Sequence, residues 1–175
     1  MHMQIRIIFI LLFILIAVSG QSAIWRADSV IAPQEKTDSV VDRSALIAFA
    51  KKYLGTPYRT AGSNPRKGFD CSGFVNFVFR NFMINLPRSS REFKSIGTSL
   101  KPEEFKEGDV VVFYSFRNKA RIGHVGIICE ANGMQSKFIH SASGQHKGIM
   151  ISSLNAAMYA KRFFRCVNVI GSKQE

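Results

Sequence analysis

A cysteine at the start of a predicted helix is the side chain in this sequence best suited to covalent chemistry. Cys71 directly follows Asp70, and apolar residues then recur at helical spacing from Phe74 to Phe82. Asp70 is a candidate N-cap, which would place Cys71 in the first turn of the helix. Unpaired backbone N–H groups and the helix dipole favour an anion there, so we expect a thiol that is biased towards thiolate, as a nucleophile requires.

Two histidines stand at the ends of two predicted strands. His124 begins one strand and His140 ends the next, with the hairpin signal Asn132-Gly133 between them. Because residues equidistant from a hairpin turn pair with each other, we expect the two imidazoles to lie close together. With Cys71 they would supply a nucleophile, a base and a group that orients the base. Spacing alone does not show that the thiol and the imidazoles meet.

The elements that would position these groups are helices first and strands second. A helix capped by Asp42 or Ser44 and stopped at Gly55 precedes the cysteine helix, and Ser89 to Glu92 has the pattern of a capping box. Strands are predicted at 110–114, 124–129, 137–140, 148–152 and 163–170, with a further helix at 153–161. This order predicts an α+β fold with an antiparallel sheet.

Length and charge restrict the possible functions. The chain has 175 residues, of which 46% are hydrophobic, so it is long enough for one domain with a substantial core. Its formal net charge of +12 favours an anionic partner, such as nucleic acid, an acidic membrane or an acidic polymer. The basic residues are scattered and show no repeated basic–aromatic pattern, which argues against nucleic acid.

The N-terminal segment has the pattern of a secretory signal peptide. Arg6 precedes the unbroken apolar run 7–18, and small residues then suit cleavage before Gln21. We predict a signal peptide at 1–20, a linker or arm at 21–42 and the functional domain at 43–171. The mature chain would be exported, periplasmic or secreted, without a stable membrane anchor; an uncleaved anchor is the alternative.

Three cysteines are too few for a disulfide scaffold. Cys129 and Cys166 lie in apolar, strand-like runs, where we expect two buried free thiols, and a disulfide is the alternative if their strands are adjacent. A zinc site is disfavoured, because the close ligand pairs typical of structural zinc are missing. We therefore predict neither a metal nor a cofactor.

Six short motifs, in this order, resemble the signature of the NlpC-type cell-wall cysteine peptidases. They are Gly55-Thr56-Pro57-Tyr58, Asp70-Cys71-Ser72-Gly73-Phe74-Val75, Leu86-Pro87-Arg88-Ser89-Ser90, Gly108-Asp109-Val110-Val111 with Phe113, Gly123-His124-Val125-Gly126-Ile127, and Phe138-Ile139-His140-Ser141-Ala142-Ser143. The resemblance extends from about Leu46 to Ile170. It implies a papain-like α+β fold, in which the nucleophile begins a helix that packs on an antiparallel sheet.

The resemblance also implies a role for each matched position of the catalytic set. Cys71 matches the nucleophile, His124 the general base and His140 the polar residue that orients the base. Tyr58 matches a tyrosine that helps to bind the oxyanion, although a core tyrosine is the alternative.

Further matched positions lie at the mouth of the family's substrate cleft. Asp70 and Ser72 match substrate-binding positions there, although Asp70 could serve only as a helix cap. Arg88 and Ser89 match the pattern as well, but the capping box already accounts for Ser89.

The function that the resemblance implies is an exported endopeptidase acting on peptidoglycan stem peptides. The usual bond in this family joins γ-D-glutamyl to the diamino acid, and some relatives cut the D-amino-acid cross-link instead. The basic surface suits this anionic partner, and a monomer is expected. A non-catalytic wall-binding module and a thiol acyltransferase of related architecture remain alternatives, and an exported nuclease is a weaker one.

Overall fold

The computed structural model describes residues 41–144 and 148–171, which belong to one compact unit. Its helices are α1 (Arg43–Lys51), α2 (Cys71–Arg80) and α3 (Ala157–Ala160), and two 3-10 helices span Ser90–Lys94 and Pro102–Glu104. Its strands are β1 (Ser63–Asn64), β2 (Gly68–Phe69), β3 (Thr98–Leu100), β4 (Val110–Tyr114), β5 (Ile122–Glu130), β6 (Lys137–Ala142), β7 (Gly148–Ser153) and β8 (Phe163–Asn168).

The predicted signal peptide at 1–20 and all but the end of the predicted linker at 21–42 lie outside the described residues. Within the described part, no helix is long and apolar enough to cross a membrane.

Six strands form one antiparallel sheet in the order β3-β8-β4-β5-β6-β7. Strands β4 to β7 form a meander, and β8 returns along the free side of β4. The short strands β1 and β2 pair with each other just before α2. The expected α+β fold, with the cysteine helix packed on an antiparallel sheet, is confirmed.

The sheet is buried on both faces, because successive side chains of a strand point in opposite directions. Val110 and Val112 belong to a cluster that includes apolar residues of α1 and α2, and we call this side the helix face. Val111 and Phe113 belong to a second cluster on the other side, the distal face, which includes Tyr159. The predicted strand at 110–114 is therefore apolar throughout.

Local sequence signals account for where the two long helices begin. The carboxylate of Asp42 accepts the backbone N–H of Ser44 and of Ala45, so Asp42 is the N-cap of α1. Asp70 caps α2 in the same way. Phe49 of α1 stacks on Phe77 of α2 with ring centroids 5.7 Å apart, which fixes α2 against its neighbour. The N-terminus of α2 is therefore held by packing along the length of the helix.

The hairpin of β5 and β6 is confirmed, but its connection is longer than the two-residue turn that Asn132-Gly133 suggests. The pair nearest the open end is Ile127 with Ile139, and the register shifts between Ile128 and Glu130. The connecting segment closes on itself through a 2.8 Å hydrogen bond from the backbone N–H of Gln135 to the carbonyl of Asn132. Because Ile127 pairs with Ile139, His140 is opposite residue 126, and so His124 and His140 are not directly opposite each other.

Two other features differ from the sequence-based prediction. The helix predicted at 153–161 is reduced to the single turn α3. The sequence pattern does not indicate strand β3, because β3 is a short, largely exposed edge strand without an apolar pattern and pairs only with β8.

The three cysteines are all free thiols. Cys129 packs in the helix-face cluster and Cys166 in the distal-face cluster, and β4 separates their strands. The prediction of two buried free thiols is confirmed, and the pairing considered as an alternative is absent.

Candidate active site

The thiol of Cys71 lies at the N-terminus of α2, as the sequence predicts. Asp70 accepts the backbone N–H of Gly73 at 2.7 Å, so the cap fixes the first turn of the helix around the cysteine. Cys71 is only 9% exposed, so most of the residue is buried. The backbone N–H of Val125, the residue after His124, is hydrogen-bonded to the Cys71 sulfur. The structure therefore brings the cysteine helix to the strand that carries the first histidine.

The electrostatic environment of this thiol differs from the expectation. Burial raises the pKa of Cys71, and the neighbouring carboxylate of Asp70 raises it further. Backbone N–H groups, including that of Val125, stabilise the thiolate and act in the opposite direction, but burial outweighs them. The predicted bias of this thiol towards thiolate is therefore wrong, because the helix terminus is buried as well as polar.

The predicted mouth residues form one hydrogen-bonded cluster beside the thiol. Both guanidinium Nη atoms of Arg88 donate to the carboxylate of Asp70, each at 2.9 Å. The same guanidinium reaches the Ser72 hydroxyl at 3.3 Å and the carbonyl of Gly62 at 3.2 Å. Asp70 is therefore more than a helix cap, since it also forms a bidentate pair with Arg88.

Tyr58 lies close to this cluster and is partly buried. Burial raises the pKa of its phenol, and the nearby Cys71 and Asp70 raise it further. The phenol therefore stays protonated at neutral pH and can donate a hydrogen bond.

The two predicted histidines are in direct contact. The Nε2 atom of His124 lies 3.0 Å from the Nδ1 atom of His140, and their rings are perpendicular with centroids 4.9 Å apart. His124 is partly exposed, whereas His140 is fully buried. The expectation that the hairpin brings these imidazoles together is confirmed, although the side chains span a staggered register.

Both imidazoles have a lowered pKa. Burial lowers the pKa of His140 to about 3, and the nearby guanidinium of Arg162 lowers it as well. Burial, His140 and Arg162 together hold the pKa of His124 well below its ordinary value. Because the pKa of the Cys71 thiol is raised while that of His124 is lowered, the neutral thiol and imidazole are favoured over an ion pair.

Three residues beyond the predicted set complete the surroundings of the imidazoles. The hydroxyl of Ser152 on β7 lies 2.9 Å from Nε2 of His140, and the phenol of Tyr159 lies 3.4 Å from the same atom. Arg162 packs over the Tyr159 ring at 5.6 Å. Alternation along β7 could have indicated Ser152, because it opposes Phe138 and so shares a face with His140. Nothing in the local sequence around α3 points to Tyr159 or Arg162.

A cavity of about 750 Å³ opens beside His124. Its lining includes Ser152, Tyr159 and Arg162 of the distal face and, from the loop after β4, Phe116. It is therefore large enough for part of a small ligand and lies next to the histidine pair. In the part of the chain that the structure describes, no three potential metal-binding side chains come together.

Comparison with known proteins identifies relatives of this arrangement. The sequence model of the NlpC/P60 family matches residues 55–168. The chain is 36% identical over 130 residues to the "Probable endopeptidase NlpC" of Escherichia coli K12, covering 74% of this chain and 79% of that protein. It is 37% identical over 112 residues to the "Gamma-DL-glutamyl hydrolase" of Bacillus subtilis 168, covering 63% of this chain but only 27% of that protein.

A solved structure shows the same fold. It is that of a Staphylococcus aureus Mu50 protein described as similar to a lipoprotein of the NLP/P60 family. The TM-score is 0.64 at 28% sequence identity, and the match covers 74% of this chain and 42% of the other.

Proposed function

This chain belongs to the NlpC/P60 family of cell-wall peptidases, and from that membership we propose that it is an exported cysteine endopeptidase that hydrolyses peptidoglycan stem peptides. The observation that carries the proposal is the contact between a helix-terminal cysteine, the strand bearing His124, and the His124–His140 pair. The proposed bond joins γ-D-glutamyl to the diamino acid, which similarity to a gamma-DL-glutamyl hydrolase supports, and relatives named murein DD-endopeptidases make the D-amino-acid cross-link the alternative bond. The relatives named as endopeptidases support peptidoglycan as substrate.

The tautomer of His124 is the first requirement of the proposed mechanism. When His140 carries its proton on Nε2 and donates to Ser152, its Nδ1 atom accepts the Nε2–H of His124. The Nδ1 atom of His124 then keeps its lone pair and can accept a proton from the thiol of Cys71. His140 is thus an orienting group, which acts through the base rather than on the substrate.

Attack then begins from the neutral pair. The Cys71 sulfur forms a bond to the amide carbonyl as its proton moves to His124, since neither the thiolate nor the imidazolium is favoured beforehand. The backbone N–H of Cys71 and the phenol of Tyr58 are the proposed donors to the oxyanion, and the raised pKa of Tyr58 keeps that donor protonated. His124 returns its proton to the leaving nitrogen as the C–N bond breaks. Water then hydrolyses the thioester and restores the thiol.

Location and binding follow from the sequence and the charge. The basic residue and apolar run at the N-terminus support export, and the formal charge of +12 suits an anionic wall polymer. We propose Asp70, Ser72 and Arg88 as residues that contact the stem peptide. Their cluster is already formed in the free protein, so binding would require little rearrangement.

The deciding experiment is digestion of defined muropeptides by the mature chain, with the products identified by mass spectrometry. Wild type should release fragments cut after γ-D-glutamyl, and Cys71→Ala should lower the rate by more than about a thousandfold, because the residual rate lacks the nucleophile. Near-UV circular dichroism and the thermal midpoint of the variant should match those of wild type.

Three other outcomes would overturn the proposal in different ways. Cleavage by Cys71→Ala would exclude the thiol mechanism. Binding of muropeptides without cleavage by wild type would identify a wall-binding module. A new amide or ester in place of a free acid and amine would identify an acyltransferase.

A further inference from the structure

The cavity beside His124 contains a cation without a counter-ion. Arg162 is partly buried, and its hydrogen bonds run from Nε to the carbonyl of Met158 and from Nη1 to the carbonyl of Tyr114. Among the described residues no carboxylate forms an ion pair with it. The two carbonyls hold the guanidinium in place but leave its charge uncompensated.

The rest of the cavity lining favours an anion as well. Arg117 contributes a second guanidinium, and no aspartate or glutamate is present among the lining residues that the structure describes. Phe116 is 78% exposed and Met158 is 53% exposed, and both line the same cavity. The guanidinium of Arg162 lies 5.7 Å from the Phe116 ring centroid. The cavity therefore combines fixed positive charge with apolar surface, which suits a carboxylate on a short aliphatic chain.

The contrast with Arg88 shows that this lack of a partner is specific to one side of the cleft. Arg88 lies beside Cys71 and is neutralised by Asp70 in a bidentate pair. Arg162 lies beside His124, which in the proposed mechanism protonates the departing amine. The uncompensated charge is thus on the side where the leaving half of the peptide must lie.

We propose that Arg162 binds a carboxylate of the residue on the leaving side of the scissile bond. This inference rests on the proposed function for the identity of the substrate. It makes the chain selective for stem peptides whose diamino acid carries free carboxylates, and it predicts discrimination against amidated forms.

The experiment measures binding first, so that it does not depend on turnover. The probes are L-Ala-γ-D-Glu-meso-diaminopimelate and the same tripeptide with both carboxyl groups of the diaminopimelate amidated. Calorimetric titration of Cys71→Ala should give at least about tenfold tighter binding for the free acid, as expected for a charge-assisted hydrogen bond. In the double variant Cys71→Ala/Arg162→Gln the preference should shrink to less than about twofold, because glutamine can still donate to a backbone carbonyl but carries no charge.

Two further variants separate charge from folding. Arg162→Lys, also in the Cys71→Ala background, should retain most of the preference, since lysine keeps the charge. Arg80→Gln removes a charge from the exposed last turn of α2 and should leave the preference unchanged. Equal binding of the two peptides by Cys71→Ala, or an undiminished preference after Arg162→Gln, would overturn the inference.

The same peptides test the proposed function separately. Wild type should cleave the free acid with a higher kcat/KM than the diamide. If the free acid binds more tightly but is not cleaved, the peptidase proposal is refuted and the carboxylate site is supported. If both peptides bind equally and are cleaved at equal kcat/KM, the carboxylate site is refuted and the peptidase proposal is supported.

Discussion

Cys71 belongs to the helix-face cluster, whereas His140 stacks on Phe138 of the distal-face cluster, and different forces set the protonation of the two side chains. On the helix face, Cys71 lies in a polar helix terminus next to Asp70, whose charge adds to the effect of burial. On the distal face, His140 packs against Phe138 and Tyr159, and burial is the main cause of its lowered pKa. The neutral state of the site therefore has two separate origins, and each can be altered without the other.

The strongest predicted change is a loss of stability in acid, and it originates at His140 on the distal face. His140 has a pKa of about 3 in the folded protein and about 6.5 when unfolded, so the unfolded chain binds an extra proton between these values. Stability therefore falls as pH falls through this window, by about 4–5 kcal/mol for this one group. Urea unfolding of wild type and His140→Gln at several pH values should show a flatter acid dependence for the variant.

Cys71 provides the matching comparison, because its titration affects stability at alkaline pH. Because the pKa of Cys71 is raised in the folded protein, the thiol of the unfolded chain loses its proton at a lower pH than the folded one. The free energy of unfolding therefore falls as pH rises above about 9. Cys71→Ser should reduce this alkaline loss and leave the acid dependence unchanged. An equal acid dependence in wild type and His140→Gln would contradict the assignment of acid lability to the distal face.

The next largest effect is on catalysis when the orienting imidazole is lost. His140→Ala should lower kcat by about 10²–10⁴-fold with little change in KM, because the base loses its tautomer and orientation but the substrate cleft stays intact. His140→Asn can still accept a hydrogen bond and should retain more activity. Steady-state kinetics on one muropeptide, with the folded fraction checked by circular dichroism, would measure this, and a loss confined to KM would count against the orienting role.

Ser152→Ala should have a smaller effect on the same property. Loss of the hydroxyl partner of His140 should lower kcat by roughly tenfold, the lower end of what outer partners of an active group contribute. Ser152→Thr keeps the hydroxyl and should restore most of the rate. Equal rates and equal pH profiles for wild type and Ser152→Ala would show that the serine does not select the tautomer.

The smallest effect tests the charge on the thiol side. Asp70→Asn preserves an N-cap residue type but removes the carboxylate, so the pKa of Cys71 should fall and its alkylation by iodoacetamide at pH 8 should become a few-fold faster. Asp42→Asn alters the equivalent cap of α1, away from the thiol, and is the matched control. A slower or unchanged reaction in Asp70→Asn would show that burial alone sets the reactivity.

The features of this site that the sequence predicts are those that depend on residues close together in the chain. The cap at Asp70 and the position of Cys71 depend on neighbours within one helical turn, so the local pattern is sufficient. The proximity of His124 and His140 depends on a hairpin, and the pattern predicted the contact but not its register.

The remainder could not be predicted, because it depends on elements far apart in the chain. Arg162 approaches Tyr114 only because β8 returns beside β4, and no local signal encodes that return. The neutral state of Cys71 has the same origin, since it depends on how deeply α2 is buried against the sheet. Periodicity reports which side of an element is apolar, but not what packs against it.

The reactivity of the two structural cysteines, Cys129 and Cys166, can be used to measure local unfolding on each side of the sheet. Cys129 lies beneath the helices and Cys166 beneath the distal aromatic cluster, and both are fully buried. Burial raises the pKa of Cys129 to about 11 and that of Cys166 further still, so neither reacts while its layer is closed. In native-state thiol exchange, early labelling of Cys129 would mark detachment of the helical layer, whereas early labelling of Cys166 would mark opening of the opposite layer. The order in which these thiols become reactive would therefore rank the two layers by their free energies of opening.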